Sequence, residues 1–177
     1  YDEDIDRRYK SGELFHRDSI KITDSTEYET TGGRIVYGGG AIIPDIFVPA
    51  DSIVRNRYYL TLNASIASFV YRHMDLRFAD YLPYKDKLQK FLKEFRINDE
   101  LLNEFLTYAE EKAKLDHDEN SWEAAKERIS TYIKANIAQQ LFGDEGFHQV
   151  LAKKDKDLRK ALEEIKRGAG KLPEAMK

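Results

Sequence analysis

The chain contains no cysteine, which excludes disulfide bonds, thiolate metal ligands and a cysteine nucleophile. It also has only four prolines and ten glycines among 177 residues. Five of those glycines lie between Gly32 and Gly40, and three of the prolines occur by Pro83. Breaks in regular structure are therefore expected mainly in the first half of the chain.

Neither sign of charge is in large excess. The chain has 29 Lys and Arg residues against 32 Asp and Glu residues, a formal net charge of -3 and a pI of about 5.9. This balance argues against a protein whose partner is nucleic acid, because such proteins carry a basic stripe. Residues 1–57 hold 8 basic and 11 acidic side chains, whereas residues 58–177 hold 21 of each. The shift in composition predicts a boundary near residue 57.

Long apolar runs are also missing. The longest uncharged run, Tyr58 to Tyr71, has 14 residues and includes Thr, Asn and Ser. A membrane-spanning helix needs about 20 consecutive apolar residues, so no transmembrane segment is predicted in this chain. The chain opens on Tyr1 without Met and without a basic and then apolar signal pattern, so we expect it to be a piece of a longer protein.

The first 57 residues are interpreted as β strands and loops. They contain short runs rich in Ile, Val, Thr, Tyr and Phe that are bounded by Gly, Pro or Asp, a pattern typical of strands. These runs are residues 19–22, 27–31, 34–37 and 45–48.

From Tyr58 the apolar residues recur every three or four positions, which predicts helices. Asn98 and Asn120 are placed as N-caps of two of them, Gly143 is placed at the end of a helix, and a break is expected near Asp155. The first apolar stripe comprises Tyr59, Leu62, Ile66, Phe69, Val70, Met74, Phe78 and Leu82.

These patterns together predict an α+β fold that is mainly α. Residues 1–57 form a short β and loop segment, and residues 58–177 form an all-α domain of about five helices. No repeat of 33 to 45 residues is present, which argues against a helical solenoid.

The histidines do not form a recognisable metal site. No two of the four are separated by three or four residues, so zinc ligands close in sequence are absent. His16 and His117 each adjoin charged residues and are interpreted as parts of solvated turns.

The serines and glycines likewise lack a catalytic pattern. No serine lies in a Gly-X-Ser-X-Gly elbow, and Ser65 and Ser68 are assigned to close helix packing. The Gly38–Gly40 cluster is not followed by Gly-Lys-Ser/Thr or by a helix, which disfavours a phosphate-binding loop. We therefore expect no catalytic, cofactor-binding or metal-binding residue in this chain.

One stretch has a more specific sequence than an ordinary turn requires. Residues 32–49 read GGRIVYGGGAIIPDIFVP. This run resembles the segment that closes the protease core in the carboxyl-terminal processing, or tail-specific, serine peptidases of the Bacteroidetes type. Residues 4–9 with Gly12 and Glu13, residues 102–105 and residues 141–145 carry weaker similarity to the same family. Ala41 departs from it, since many relatives continue the glycine run there.

The resemblance implies that the chain is the C-terminal part of a serine endopeptidase that cleaves proteins near their carboxyl termini. Such enzymes use a serine nucleophile with a lysine base, found in Gly-Ser-X-Ala/Ser and Gly-Lys-Gly patterns that do not occur here. Those groups and a PDZ domain are expected before Tyr1. Residues 1–57 would finish the protease core, and 58–177 would be an appended helical domain. The family also implies a periplasmic or cell-envelope location and protein or peptide substrates.

Two alternatives remain open from the sequence. The helical domain could instead be a non-catalytic interaction module that binds an adaptor protein; exposure of Trp122, Tyr132, Phe142 or Phe147 would favour this. The strands of residues 19–48, separated from a larger sheet, are expected either to fold back on the helical domain or to pair with a second copy as a homodimer.

Overall fold

The computed structural model describes residues 2–20, 26–33, 35–37 and 46–168. Within them the fold is α+β and mainly α, as predicted. In chain order the elements are α1 (Asp2–Lys10), β1 (Glu27–Glu29), β2 (Ile35–Tyr37), α2 (Arg57–Asn63), α3 (Ile66–Leu76), α4 (Phe78–Tyr81), α5 (Leu88–Glu94), α6 (Asp99–Ala113), α7 (Glu119–Ala152) and α8 (Lys156–Gly168). Short 3-10 turns cover Arg17–Ser19, Ser52–Arg55 and Leu82–Tyr84.

The described residues divide into two compact units. One consists of those before Ser52 together with those from Lys156 onward, and the other is Ser52–Asp155. The C-terminal helix α8 is thus grouped with the N-terminal residues, whereas the sequence analysis assigns it to the helical domain. The proposed division into 1–57 and 58–177 stays a prediction.

The structure of the N-terminal residues differs from the prediction in one element. Residues 2–10 form the helix α1 where a loop was expected. The sequence carries a signal for it, because acidic residues open the segment and Arg7, Arg8 and Lys10 close it, which suits the helix dipole. Gly12 then turns the chain with a φ of 83°.

Strands β1 and β2 pair antiparallel, with Glu27 opposite Tyr37 and Glu29 opposite Ile35. They confirm two of the four predicted β segments. Of the other two, residues 21–22 and 45 lie outside the described residues, Ser19 ends a 3-10 turn, and Phe47 and Val48 are not assigned to a strand. The Gly38–Gly40 connection also lies outside the described residues.

Capping side chains set the helix starts in the Ser52–Asp155 unit. Oδ1 of Asn98 accepts the Leu101 N–H at 3.0 Å, which confirms the predicted cap of α6. Helix α7 begins one residue after Asp118, whose Oδ1 accepts the Ser121 N–H at 3.1 Å. The predicted cap at Asn120 is therefore wrong by two positions, because Asp118 caps the helix and Asn120 already lies in its first turn.

The core of this unit is built around the long helix α7, which packs against α2, α3 and α5, while α6 packs against α2 and α3. Trp122 is 4% exposed, as the apolar stripe of α7 predicts. The largest fully buried side chains are Leu62, Val70, Phe91, Phe105, Ile129, Ile133 and Ile137.

Two backbone breaks shape the unit. At Arg77 the backbone leaves the helical region (φ -126°, ψ 29°), so the helical phase is lost after α3. As a result Phe78 and Leu82, which the continuous stripe places in the core, are about half exposed, and Tyr81 is buried instead. At Gly143 (φ 70°, ψ -162°) α7 kinks sharply, where the sequence places a helix end.

Candidate functional site

A groove of about 390 Å³ runs between α3 and α6. Its volume lies in the range of small-molecule binding pockets, roughly 300 to 1,000 Å³. Both walls follow from helical spacing, since residues three or four apart share one face. The lining residues are Phe69, Arg72 and His73 from α3, and Asn103, Glu104, Thr107, Tyr108 and Glu111 from α6.

His73 is the unusual member of the groove. Its side chain is 5% exposed, although a histidine carries two polar ring nitrogens. Nδ1 lies 3.2 Å from Oε2 of Glu104, close enough for an ion pair when the ring is protonated. The approach does not satisfy hydrogen-bond geometry, so Nδ1 is a buried polar atom without a hydrogen-bond partner among the described residues.

The His73–Glu104 pair also borders a second, smaller cavity of about 150 Å³ on the side of α4 and α5. Polar side chains of Arg77, Asp80 and Arg96 line this cavity. The pair therefore lies between the two cavities and lines both of them.

Aromatic packing holds the His73 ring in place. The ring lies 5.5 Å from the ring of Phe69 and 6.1 Å from that of Tyr81. Burial, followed by the negative charges of Asp80 and Glu104, raises the pKa of Tyr81 to about 12. This phenol is neutral at physiological pH and serves as packing.

Two cations, Arg72 and Lys112, lie around Tyr108 and form a cationic rim at the other end of the groove. Arg72 and Lys112 lie over its ring, at 5.7 Å and 5.4 Å from the ring centre. The hydrogen bond with Ser68, followed by the bond and charge of Lys112, lowers the pKa of the Tyr108 hydroxyl. The groove thus joins a cationic rim to the carboxylates of Glu104 and Glu111 along α6.

A serine and a lysine meet beside this rim. Nζ of Lys112 donates to Oγ of Ser68 at 2.6 Å, and the Tyr108 hydroxyl donates to the same oxygen at 3.2 Å. The Ser68 hydroxyl in turn donates its proton to the carbonyl oxygen of Ser65 at 3.0 Å. A serine nucleophile must instead give its proton to a base. These bonds tie α3 to α6, in keeping with a packing role for Ser68.

His117 has more partners than a solvated turn requires. Its two ring nitrogens each lie 2.8 Å from a carboxylate oxygen, Nδ1 from Glu110 and Nε2 from Glu119. The hydrogen bonds to Glu119 and Glu110 raise the pKa of His117. Sequence reasoning missed this bridge because Glu110 is on the preceding helix, and it missed His73–Glu104 because 31 positions separate the partners.

Two further properties bear on function. Within the part of the chain that the structure describes, no three His, Asp or Glu side chains are grouped to hold a metal ion. Among the same residues, no helix combines the length and the apolar character that crossing a membrane requires.

Comparison with known protein families gives a match to part of the chain. Residues 58–143 match the model of a family of unknown function (DUF8443). The matched range starts in α2, contains both walls of the groove and ends at the Gly143 kink. No curated protein and no solved structure matches the chain.

Proposed function

We propose that this chain is the C-terminal part of a carboxyl-terminal processing serine endopeptidase of the cell envelope, and that its helical unit contacts polypeptide substrates rather than supplying catalytic groups. The observation that carries the proposal is the run GGRIVYGGGAIIPDIFVP at residues 32–49. It resembles the closing segment of the protease core in that family.

The position of this run supports the same interpretation. It ends at Pro49, and the helical unit begins at Ser52. A segment that completes a protease core and is followed directly by a separate helical unit agrees with an appended domain.

The α3–α6 groove is the best candidate for substrate contact. Glu104 and Glu111 lie on one wall and Arg72 on the other, so both signs of charge are offered to the N–H and C=O groups and side chains of an extended polypeptide.

The coding sequence upstream of Tyr1 provides the first test. We expect it to encode the Gly-Ser-X-Ala/Ser and Gly-Lys-Gly patterns of the nucleophile and the base. If neither pattern is encoded upstream, the peptidase assignment is wrong.

The second test uses the parent enzyme with a groove variant. Charge reversal by Glu111→Arg should weaken cleavage of a protein substrate, mainly through KM, and leave cleavage of a short chromogenic peptide unchanged. Glu123→Arg, on α7 and outside the groove lining, is the matched control. Equal cleavage by both variants would argue against substrate contact in the groove.

The 177-residue chain by itself should hydrolyse no peptide. A fluorophosphonate probe, which labels activated serines, should leave it unlabelled because it contains no matched nucleophile and base pattern. Stoichiometric labelling that Ser68→Ala abolishes would show instead that the Ser68–Lys112 contact is catalytic.

A non-catalytic interaction module is the second candidate. The aromatic residues that would favour it in the sequence analysis are not exposed, since Trp122 is buried and Tyr132, Phe142 and Phe147 are partly buried against the core. Tyr71 and Phe78 favour it instead, with 69% and 53% of their surfaces exposed. Absence of the catalytic patterns upstream of Tyr1 would leave this candidate as the better one.

A further inference from the structure

Three positively charged side chains converge at the C-terminal end of α5. Lys134 comes from α7, Lys153 follows the end of α7, and Arg96 lies in the connection between α5 and α6. They donate hydrogen bonds to the backbone carbonyl groups of Leu92 and Phe95. Lys134 binds both carbonyl groups, Lys153 binds that of Leu92, and Arg96 binds that of Phe95.

The distances show how closely the cations lie. Nζ of Lys134 donates to Leu92 O at 3.3 Å and to Phe95 O at 2.7 Å. Leu92 O also accepts from Nζ of Lys153 at 3.5 Å, and Phe95 O accepts from Nη1 of Arg96 at 2.9 Å. Groups that share one oxygen lie closer together than the Debye length of about 8 Å at physiological salt, so their repulsion is only weakly screened.

Within the part of the chain that the structure describes, no carboxylate pairs with these cations. Among the described residues, Lys134, Lys153 and Arg96 have no Asp or Glu oxygen within ion-pair distance, whereas the neighbouring Lys154 pairs with Glu127 at 2.7 Å. Carbonyl groups at a helix C-terminus carry about half a unit of negative charge in total, which is far less than the three positive charges here.

Lys134 is the least free of the three to move away. Its ammonium group lies 5.4 Å from the centre of the Phe91 ring, and that ring stacks on Phe95 at 4.7 Å. Burial, and then the charges of Arg96 and Lys153, lower the pKa of Lys134 to about 8. The fold therefore holds the Lys134 ammonium group where Arg96 and Lys153 disfavour its positive charge. An anion bound beside these three groups would favour that charge and raise the pKa of Lys134 again.

We propose that Arg96, Lys134 and Lys153 form a binding site for a phosphate group, either free phosphate or a small phosphate monoester. Each cation keeps N–H donors that the two carbonyl groups do not use, since an ammonium has three and a guanidinium five. A doubly charged, compact oxyanion can accept from all three at once, which a singly charged carboxylate does less well.

The test titrates the full chain with inorganic phosphate. Lys134 is followed through the 13C shift of its Cε, and thermal stability is followed in parallel, with sodium chloride at matched ionic strength as the reference. Phosphate on the order of 10 mM should raise the pKa of Lys134 and the Tm above their values in chloride, because a ligand that binds the folded state stabilises it. Equal values in phosphate and chloride would overturn the proposal.

Lys153→Met provides the variant. Its side chain is exposed and makes one long hydrogen bond, so the variant should fold, and loss of one charge-assisted contact should weaken phosphate binding about tenfold. Lys154→Met, one position away and outside the cluster, should change binding by less than about twofold. An equal loss in both variants would show general charge attraction and would also overturn the site.

Two further ligands identify the source of the phosphate group. Tighter binding of glycerol 3-phosphate than of inorganic phosphate supports a phosphate monoester, and the reverse order supports free phosphate. Acetate binding as strongly as phosphate would contradict a site built for a doubly charged oxyanion.

Discussion

His117 couples the end of α6 to the start of α7 through its contacts with Glu110 and Glu119. Because its pKa is raised in the folded state, its contribution to stability is fully present below the unfolded value of about 6.5 and is lost as the pH rises through the folded pKa. We expect His117→Gln to lower the Tm at pH 5.5 and to approach the parent Tm at pH 8.5.

The measurement is thermal unfolding of both proteins across that pH range. His148→Gln is the control, because among the described residues His148 has no carboxylate at ion-pair distance. A Tm difference for His117→Gln that does not change with pH would contradict the bridge. The side chain is exposed, so the whole effect should be small.

Truncation of Phe105 and of Phe78 compares the stability contribution of an aromatic side chain in the core with that of an exposed one. Phe105 is completely buried and contacts the ring of Phe69 at 5.3 Å, whereas 53% of the Phe78 surface is exposed. Phe105→Ala should cost about 3 to 5 kcal/mol of unfolding free energy, and Phe78→Ala should stay within about 0.5 kcal/mol. Urea denaturation measures both. Similar costs would mean that the helical phase continues through Arg77.

Helix α7 depends on glycine after its kink. Gly146 lies so close to the preceding segment that a Cβ atom would come within 2.7 Å of the carbonyl oxygen of Ala138. A backbone oxygen cannot move aside easily, so Gly146→Ala should cost about 1 to 3 kcal/mol.

Gly168→Ala is the matched control, because it is also in a helix and a Cβ there would meet no atom within 4 Å. Denaturant unfolding of the two variants tests the close approach directly. If both have the stability of the parent, the chain after Gly143 does not fold back as tightly as the structure has it.

The two short strands provide an element-level prediction about assembly. β1 pairs with β2, and among the described residues neither has a second partner strand. Because unpaired strand edges favour pairing with another chain, we expect residues 19–48 to mediate a dimer. Light scattering at roughly 100 µM should find the full chain dimeric and residues 52–155 monomeric. If the full chain and the fragment are both monomeric, the alternative in which the strands fold back on their own chain is favoured.

For the complete chain, the main expectation is independent folding of the Ser52–Asp155 unit. It contains the buried side chains of α2, α3, α5, α6 and α7, and roughly 100 residues suffice for one core. A fragment comprising residues 52–155 should show helical circular dichroism and a cooperative thermal melt. A gradual, non-cooperative loss of signal would show that the unit needs the remaining residues.

Residue patterns were sufficient to predict the fold class and much of the core. The spacing of Tyr59, Leu62, Ile66 and Phe69, the cap at Asn98 and the break near Asp155 are local features, and local backbone preference determines each one. The same reasoning misplaced Phe78 and Leu82, because it assumes an uninterrupted helix and cannot detect the dihedral change at Arg77.

The candidate sites depend on contacts between distant parts of the chain. His73 meets Glu104 across two packed helices, and Lys134 and Lys153 reach the end of α5 from positions about 40 and 60 residues further along the chain. Neither set has a spacing signature, since helix packing sets the distances between its members. Helical periodicity and capping depend on neighbouring residues, so they can be predicted from the sequence together with its composition. The packing of the helices alone determines which polar atoms are buried without partners and which cations lie close together.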